Sequence, residues 1–255
     1  MLDMTLVLLF LFVLEHKFFW QEIKSYRPVI ILGLFGLVIV VIFIKVRAFI
    51  RKKQVLKSVT KLNRGERSER NLIYRLITYG VPAQTIFHDL YFKKRNGEYA
   101  QVDLLVATSV GILVFEVKDY KGWIYGNENQ HQWTQVLSYG KSKSRFYNPV
   151  MQNDSHIRAI RGQHPQFKRI PFFSIIVFYG DCVLKEEGTV PDGTFLVKPD
   201  EVMDVINTIT SSNEPAPYTD KWEVIRVFKE AATNGESKLV YQEHLRNVQS
   251  ILERR

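Results

Sequence analysis

Apolar and polar positions follow three different rhythms along this chain. The first is continuous: residues 28–44 read P-V-I-I-L-G-L-F-G-L-V-I-V-V-I-F-I without one charge. A run with no polar face fits a buried helix poorly and a membrane span well. At 1.5 Å per residue it covers about 25 Å, slightly less than a hydrocarbon core. A shorter apolar run at 4–14, continuing towards Trp20, reads either as a first span folded back in a helical hairpin or as an interfacial helix. It has no charged leader region and no small-residue cleavage site, so it does not read as a removed signal peptide.

From Gly65 the rhythm becomes helical. Leu72, Ile73, Leu76 and Ile77 recur on one face, and Gly80-Val81-Pro82 stops the helix. Residues 148–163 predict a second helix, with Asn148 as N-cap and Pro149 at its first position. Strand-like runs fall at 84–93, 172–179 and 193–198, the second apolar throughout and suited to burial on both faces. Trp123-Ile124-Tyr125-Gly126 follows the central hairpin, and a glycine-punctuated loop runs from there to Tyr139. A short helix to about Ile209, a linker at 211–217 and helices near 219–232 and 237–253 complete the chain. Trp222, Ile225 and Phe228 predict an apolar stripe for core or partner packing.

Between the strand at 84–93 and the loop lies the stretch Glu98 to Asp119. Two β-branched apolar runs flank Thr108-Ser109-Val110-Gly111, the signature of a hairpin. Folding about the Ser109–Val110 midpoint pairs positions summing to 219, which sets Asp103 opposite Glu116 and Gln101 opposite Lys118, all on one face. Opposed like charges destabilise a strand pair. Two carboxylates facing each other beside a lysine therefore call for an explanation, and a divalent cation is the simplest one.

Charge changes the picture by its location. Of the formal +9, residues 45–64 hold eight Lys or Arg and no acid, and residues 1–44 balance, so residues 65–255 carry only +1. The basic cluster therefore reads as a cytoplasmic topology signal against anionic headgroups rather than as a nucleic-acid arm. The single cysteine, Cys182, excludes an internal disulfide framework and a cysteine-based zinc cluster.

The chemistry-bearing residues are Glu69 on the core-facing side of its helix, Asp103 on one strand, and Glu116-x-Lys118 on the next. Mg²⁺ or Mn²⁺ needs one or two carboxylates, with water and phosphate oxygens completing its shell. Such an ion polarises a phosphoryl oxygen and activates water, and the lysine stabilises the developing charge. Glu69 alone could equally be a first-turn carboxylate favouring the helix dipole. His156, four residues from Gln152 on the second helix, could be a structural core residue. Lys141, Lys143 and Arg145 form either a modest substrate-binding patch or a solvated loop.

Taken with their spacing, these residues resemble the nuclease-related domain (NERD) family of the PD-(D/E)xK nuclease superfamily. The matching pieces are Gly65-Glu66-x-x-Glu69, Gln101-Val102-Asp103, Gly111-x-x-x-x-Glu116-Val117-Lys118, Gly122-x-Ile124-x-Gly126 with Trp133, and Asn148-Pro149-x-x-Gln152-x-x-x-His156. Ser68 departs from the glycine common before the helix glutamate. The resemblance implies an α/β fold with a restriction-endonuclease-like core, a central mixed sheet flanked by helices. By motif position it makes Asp103 and Glu116 metal ligands, Lys118 the catalytic lysine and Glu69 the helix carboxylate, with Gln101, Gln152 and His156 supporting.

The organisation expected is an apolar segment 1–27, a transmembrane helix 28–44, a basic juxtamembrane segment 45–64, a nuclease-related domain 65–210, and a linker with C-terminal helices 211–255. The expected function is a cell-membrane-anchored, single- or double-pass, Mg²⁺- or Mn²⁺-dependent nuclease. Its main domain is cytoplasmic and its substrate is nucleic acid, DNA foremost. The other reading is a non-catalytic anchored module that binds a protein through its C-terminal helices.

Overall fold

A computed structural model describes the backbone of residues 4–137, 140–187 and 190–253, and the side chains of residues 31–137, 140–185 and 190–247. The chain divides into two units, Met1–Lys53 and Gln54–Arg255. The helix α1 (Met4–Lys57), one unbroken run of 54 residues, makes up the described part of the first unit, and its last residues belong to the second. No turn separates its two apolar runs, so the helical hairpin does not form. Its portion Ile31–Lys57 is long and apolar enough to cross a membrane. Between Ile31 and Ile50 the apolar side chains are exposed on every side, Leu32 to 72%, an apolar surface of the kind that marks a membrane or partner contact.

The second unit begins before the expected boundary at Gly65. Leu56 is buried, and Val59 and Leu62 pack against the same core, which draws the end of the basic segment into the fold. Lys61 pairs with Glu236 at 2.9 Å. This unit is a mixed α/β structure around a five-stranded sheet. Its strands are β1 (Ile86–Lys93), β2 (Tyr99–Ala107), β3 (Ile112–Asp119), β7 (Phe172–Tyr179) and β9 (Thr194–Val197), in that spatial order. β1, β2 and β3 are antiparallel neighbours, whereas β3, β7 and β9 run parallel. Helices α2 (Arg67–Thr78) and α4 (Val202–Ser212) cover one face; α3 (Pro149–Arg161) and α5 (Lys221–Asn234) cover the other.

The loop expected before Tyr139 instead contributes a strand to a second sheet. Its order is β6 (Ser142–Tyr147), β5 (Gln132–Leu137), β4 (Gly122–Gly126), β8 (Cys182–Glu187). β6 reads S-K-S-R-F-Y and is exposed along most of its length, so it offers no apolar alternation to read. Gly126 lets the two strands of its motif meet: a Cβ there would lie 2.2 Å from the Trp133 ring. Trp133 stacks parallel to Phe178 at 6.1 Å and donates from Nε1 to the Asn127 carbonyl. Asn148 caps α3 through Oδ1 and donates from Nδ2 to the carbonyls of Asn127, Glu128 and Gln130. The glycine, tryptophan and asparagine motifs thus fasten the second sheet to α3, and α3 carries site residues.

The C-terminal helices belong to the compact unit. On α5 the buried stripe is Val224, Phe228 and Ala231, one helical face; Trp222, expected in that stripe, is 82% exposed. Phe228 meets Phe87 edge-on at 5.2 Å and stacks on Phe167 at 5.6 Å. The linker is tied to the β2–β3 turn, where Ala216 N–H donates to the Ser109 carbonyl and the Tyr218 hydroxyl to that of Thr108.

Candidate active site

The β2–β3 ladder carries the register expected from the sequence. Leu104 pairs Phe115, Leu105 pairs Val114, Val106 pairs Leu113 and Ala107 pairs Ile112. It stops at Leu104–Phe115, where the charged positions begin. The Val117 N–H donates to Asp103 Oδ2 at 2.8 Å rather than to a strand carbonyl. The side-chain alternation also reverses at this point. Leu104 and Val106 pack with α2, yet Val102 and Leu105 pack with α3 and α5. Next door on β1, Asp89 has φ +55, and Phe87 and Leu90, three apart, share a face.

This reversal corrects the single polar face expected for the hairpin. Gln101 does not reach Lys118; its Nε2 donates to Asp89 Oδ1 at 3.0 Å. Glu116 and Lys118 point towards α3, whereas Glu69 comes from α2 on the opposite face of the sheet. They still meet, because the broken ladder opens a cleft of about 750 Å³ at the end of the strands. Glu69, Asp103, Glu116, Lys118, Gln101 and Gln152 all line it. Lys141, Lys143 and Arg145 do not; they are exposed in and beside β6 of the second sheet.

On the α3 side, Lys118 Nζ lies 2.6 Å from Glu116 Oε1 and donates to Gln152 Oε1 at 3.0 Å. Glu116 is 1% exposed, and its second oxygen, Oε2, is buried without a hydrogen-bond partner. His156 Nδ1 faces that oxygen at 3.4 Å and is itself unpartnered. Burial lowers the proton affinity of His156, and the field of Lys118 adds to this against the pull of Glu116. A neutral imidazole then faces a carboxylate oxygen that has no hydrogen-bond partner. Such orphaned buried acceptors are rare and costly.

Asp103 intensifies the imbalance. Burial, then the charges of Glu116 and Glu69, push its carboxyl well above the usual carboxylate range, although the Val117 N–H and Lys118 oppose this. Burial pulls Lys118 down, but Glu116 by charge and hydrogen bond, with Asp103, more than offsets it and leaves the ammonium firmly charged. Two close carboxylates served by one cation leave an excess of negative charge that a divalent cation would neutralise.

The α2 side is built differently. Glu69 is 6% exposed and its Oε2 lies 2.8 Å from His88 Nε2; His88 Nδ1 lies 2.7 Å from the Thr60 hydroxyl. Gly65, at φ +60, leaves room for this pair, since a Cβ there would sit 2.2 Å from Glu69 Oε2 and 2.4 Å from His88 Nε2. Arg64 steadies the strained Asp89 by donating from Nε to its carboxylate at 2.9 Å and from Nη2 to its carbonyl at 2.6 Å. Nη1 of Arg64 also holds the Ala232 carbonyl of α5. Over the cleft, α6 (Lys238–Glu253) brings Tyr241, His244 and Leu245, with the His244 ring edge-on to Tyr91 at 5.5 Å.

Thr60, Arg64, His88 and Asp89 were not among the residues singled out from the sequence. The readable signal was the adjacent His88-Asp89 inside a strand apolar on both faces, where ionisable groups need partners. Among the described residues no group of three His, Cys, Asp or Glu side chains converges as a metal cage. The donor set fits a hard cation held by Asp103 and Glu116, with water and substrate oxygens filling the remaining positions.

A family model described as nuclease-related domain matches residues 64–179. The chain is also 32% identical over 152 residues to an uncharacterized protein of Bacillus anthracis, a match covering 60% of this chain and 67% of that protein. No solved structure matches the chain.

Proposed function

The chain belongs to the nuclease-related domain family, and on that premise we propose that its cleft hydrolyses nucleic-acid phosphodiester bonds, DNA foremost, with Mg²⁺ or Mn²⁺ on a restriction-endonuclease-like core. The observation that carries this reading is the buried, unpartnered Glu116 Oε2 beside a second carboxylate, Asp103, and a charged lysine. Asp103 and Glu116 would hold the cation, whose chemistry when bound is to polarise a phosphoryl oxygen and acidify water. Lys118, fixed by Glu116 and Gln152, offsets the negative charge that grows on phosphate as water adds and the ester P–O bond breaks. His156 stays neutral and fills the space behind Glu116 without competing for its charge. Glu69, held by His88, contributes a fixed negative charge from the α2 side.

The domain acts at the cell membrane, anchored by the apolar part of α1, and the basic run from Lys45 to Lys57 keeps it on the cytoplasmic side. Carbonate extraction of membranes tests the anchor: the chain stays in the pellet, and deletion of residues 31–44 releases it.

Activity is tested by incubating the purified full chain in detergent with single- and double-stranded DNA and RNA. Cleavage is expected with Mg²⁺ or Mn²⁺, and is expected to disappear with EDTA and in Asp103→Ala. Cleavage indifferent to chelation and to that substitution would leave the mechanism without support. A well-folded chain that cleaves nothing would favour the non-catalytic interaction module.

A further inference from the structure

We propose that the groove between the β1–β2 turn and the C-terminal half of α3 is a second binding site, which holds the phosphate backbone of the strand entering the cleft. The proposal rests on the nuclease reading for the identity of the polyanion. Lys93, Lys94, Arg95, Arg158, Arg161 and Lys168 line a concavity of about 420 Å³. Two acids border it: Asp154 pairs with Arg158, and Glu98 lies 3.4 Å from Lys94. Six cations against two acids concentrate positive charge here, on a domain whose residues 65–255 together carry only +1.

The cleft has the opposite character. Glu66, Glu69, Asp89, Asp103, Glu116 and Asp119 line it, against Arg64 and Lys118. A polyanion meets net repulsion there and must be drawn in from elsewhere. Helix α3 joins the two sites. Gln152 lines the cleft and His156 faces Glu116, while Ser155, Arg158 and Ala159 line the groove. The charge of Lys94 reaches His156. Gln152 to Arg158 rises about 9 Å along the helix, so one strand can touch both sites. Lys141, Lys143 and Arg145 are not among the residues lining either cavity.

The test measures binding without cleavage. Anisotropy of a fluorescein-labelled DNA duplex is followed with the full chain in detergent and EDTA, across a salt series. The triple variant Arg95→Ala/Arg158→Ala/Arg161→Ala is compared with Lys141→Ala/Lys143→Ala/Arg145→Ala, which removes the same charge elsewhere. The groove variant is expected to bind at least tenfold more weakly and to lower the slope of log affinity against log salt by about three. The comparison variant is expected to stay within about twofold of the parent. Equal loss in both variants, or unchanged DNA affinity in the groove variant, overturns the proposal, whether or not that variant loses affinity for phosphatidylserine vesicles. A chain that binds DNA through this groove but never cleaves it keeps the site and refutes the nuclease reading, so the two failures are distinct.

Discussion

Glu69 and Glu116 line one cleft from opposite faces of the same sheet, and their surroundings differ in kind. Glu69 is matched to His88, which is matched to Thr60, and Gly65 leaves them the room to meet. Glu116 shares one oxygen with Lys118 and leaves the other bare, beside Asp103 and a neutral His156. A satisfied buried network stiffens a fold, whereas an unsatisfied one costs stability until something completes it. The contrast separates scaffold from reactive centre: the α2 side holds shape, and the α3 side waits for a cation.

The largest effect separating the two sides belongs to the ligands. Glu116→Gln or Asp103→Asn is expected to lower Mg²⁺-dependent DNA cleavage by about 10²–10³-fold or more in a nuclease assay, and Lys118→Met by about 10². The same ligand substitutions relieve the metal-free protein. Asp103 holds its proton more tightly in the folded chain than in the unfolded one. Its contribution to stability is therefore fully present below the ordinary carboxylate range near pH 4 and is lost as pH rises through its raised folded value. Thermal unfolding in EDTA is expected to show that decline in the parent and a flatter profile in Asp103→Asn.

On the α2 side the order of effects inverts, with stability changing more than metal binding. His88→Ala strips both Glu69 and Thr60 of their partner and is expected to cost about 2–3 kcal/mol in denaturant unfolding. Thr60→Val removes only the terminal hydroxyl and is expected to cost about 1 kcal/mol. Similar losses of cleavage and of stability from both sides of the cleft would dissolve the distinction.

Much of this was legible in the residue pattern because it depends on local rules. The sum-219 register follows from alternating apolar runs about a short turn, and α3 begins where Asn148-Pro149 dictates. The face reversal was not legible. It requires Asp89 to adopt a left-handed backbone that only its tertiary partners Arg64 and Gln101 sustain. Without that reversal, simple alternation wrongly puts Gln101 beside Lys118. Lys61 and Arg64 looked like the end of a basic tail because their acidic partners, Glu236 and Asp89, lie far along the chain. The polar edge strand β6 had no apolar rhythm to betray it.

The most direct measurement is a Mn²⁺ titration of the metal-free full chain in detergent, read by the electron paramagnetic resonance signal of free Mn²⁺. The parent is expected to bind an ion that Asp103→Asn and Glu116→Gln each fail to bind, while Glu69→Gln still binds it. Binding that survives both ligand substitutions, or a loss just as complete in Glu69→Gln, would contradict the assignment of the cation to the α3 side.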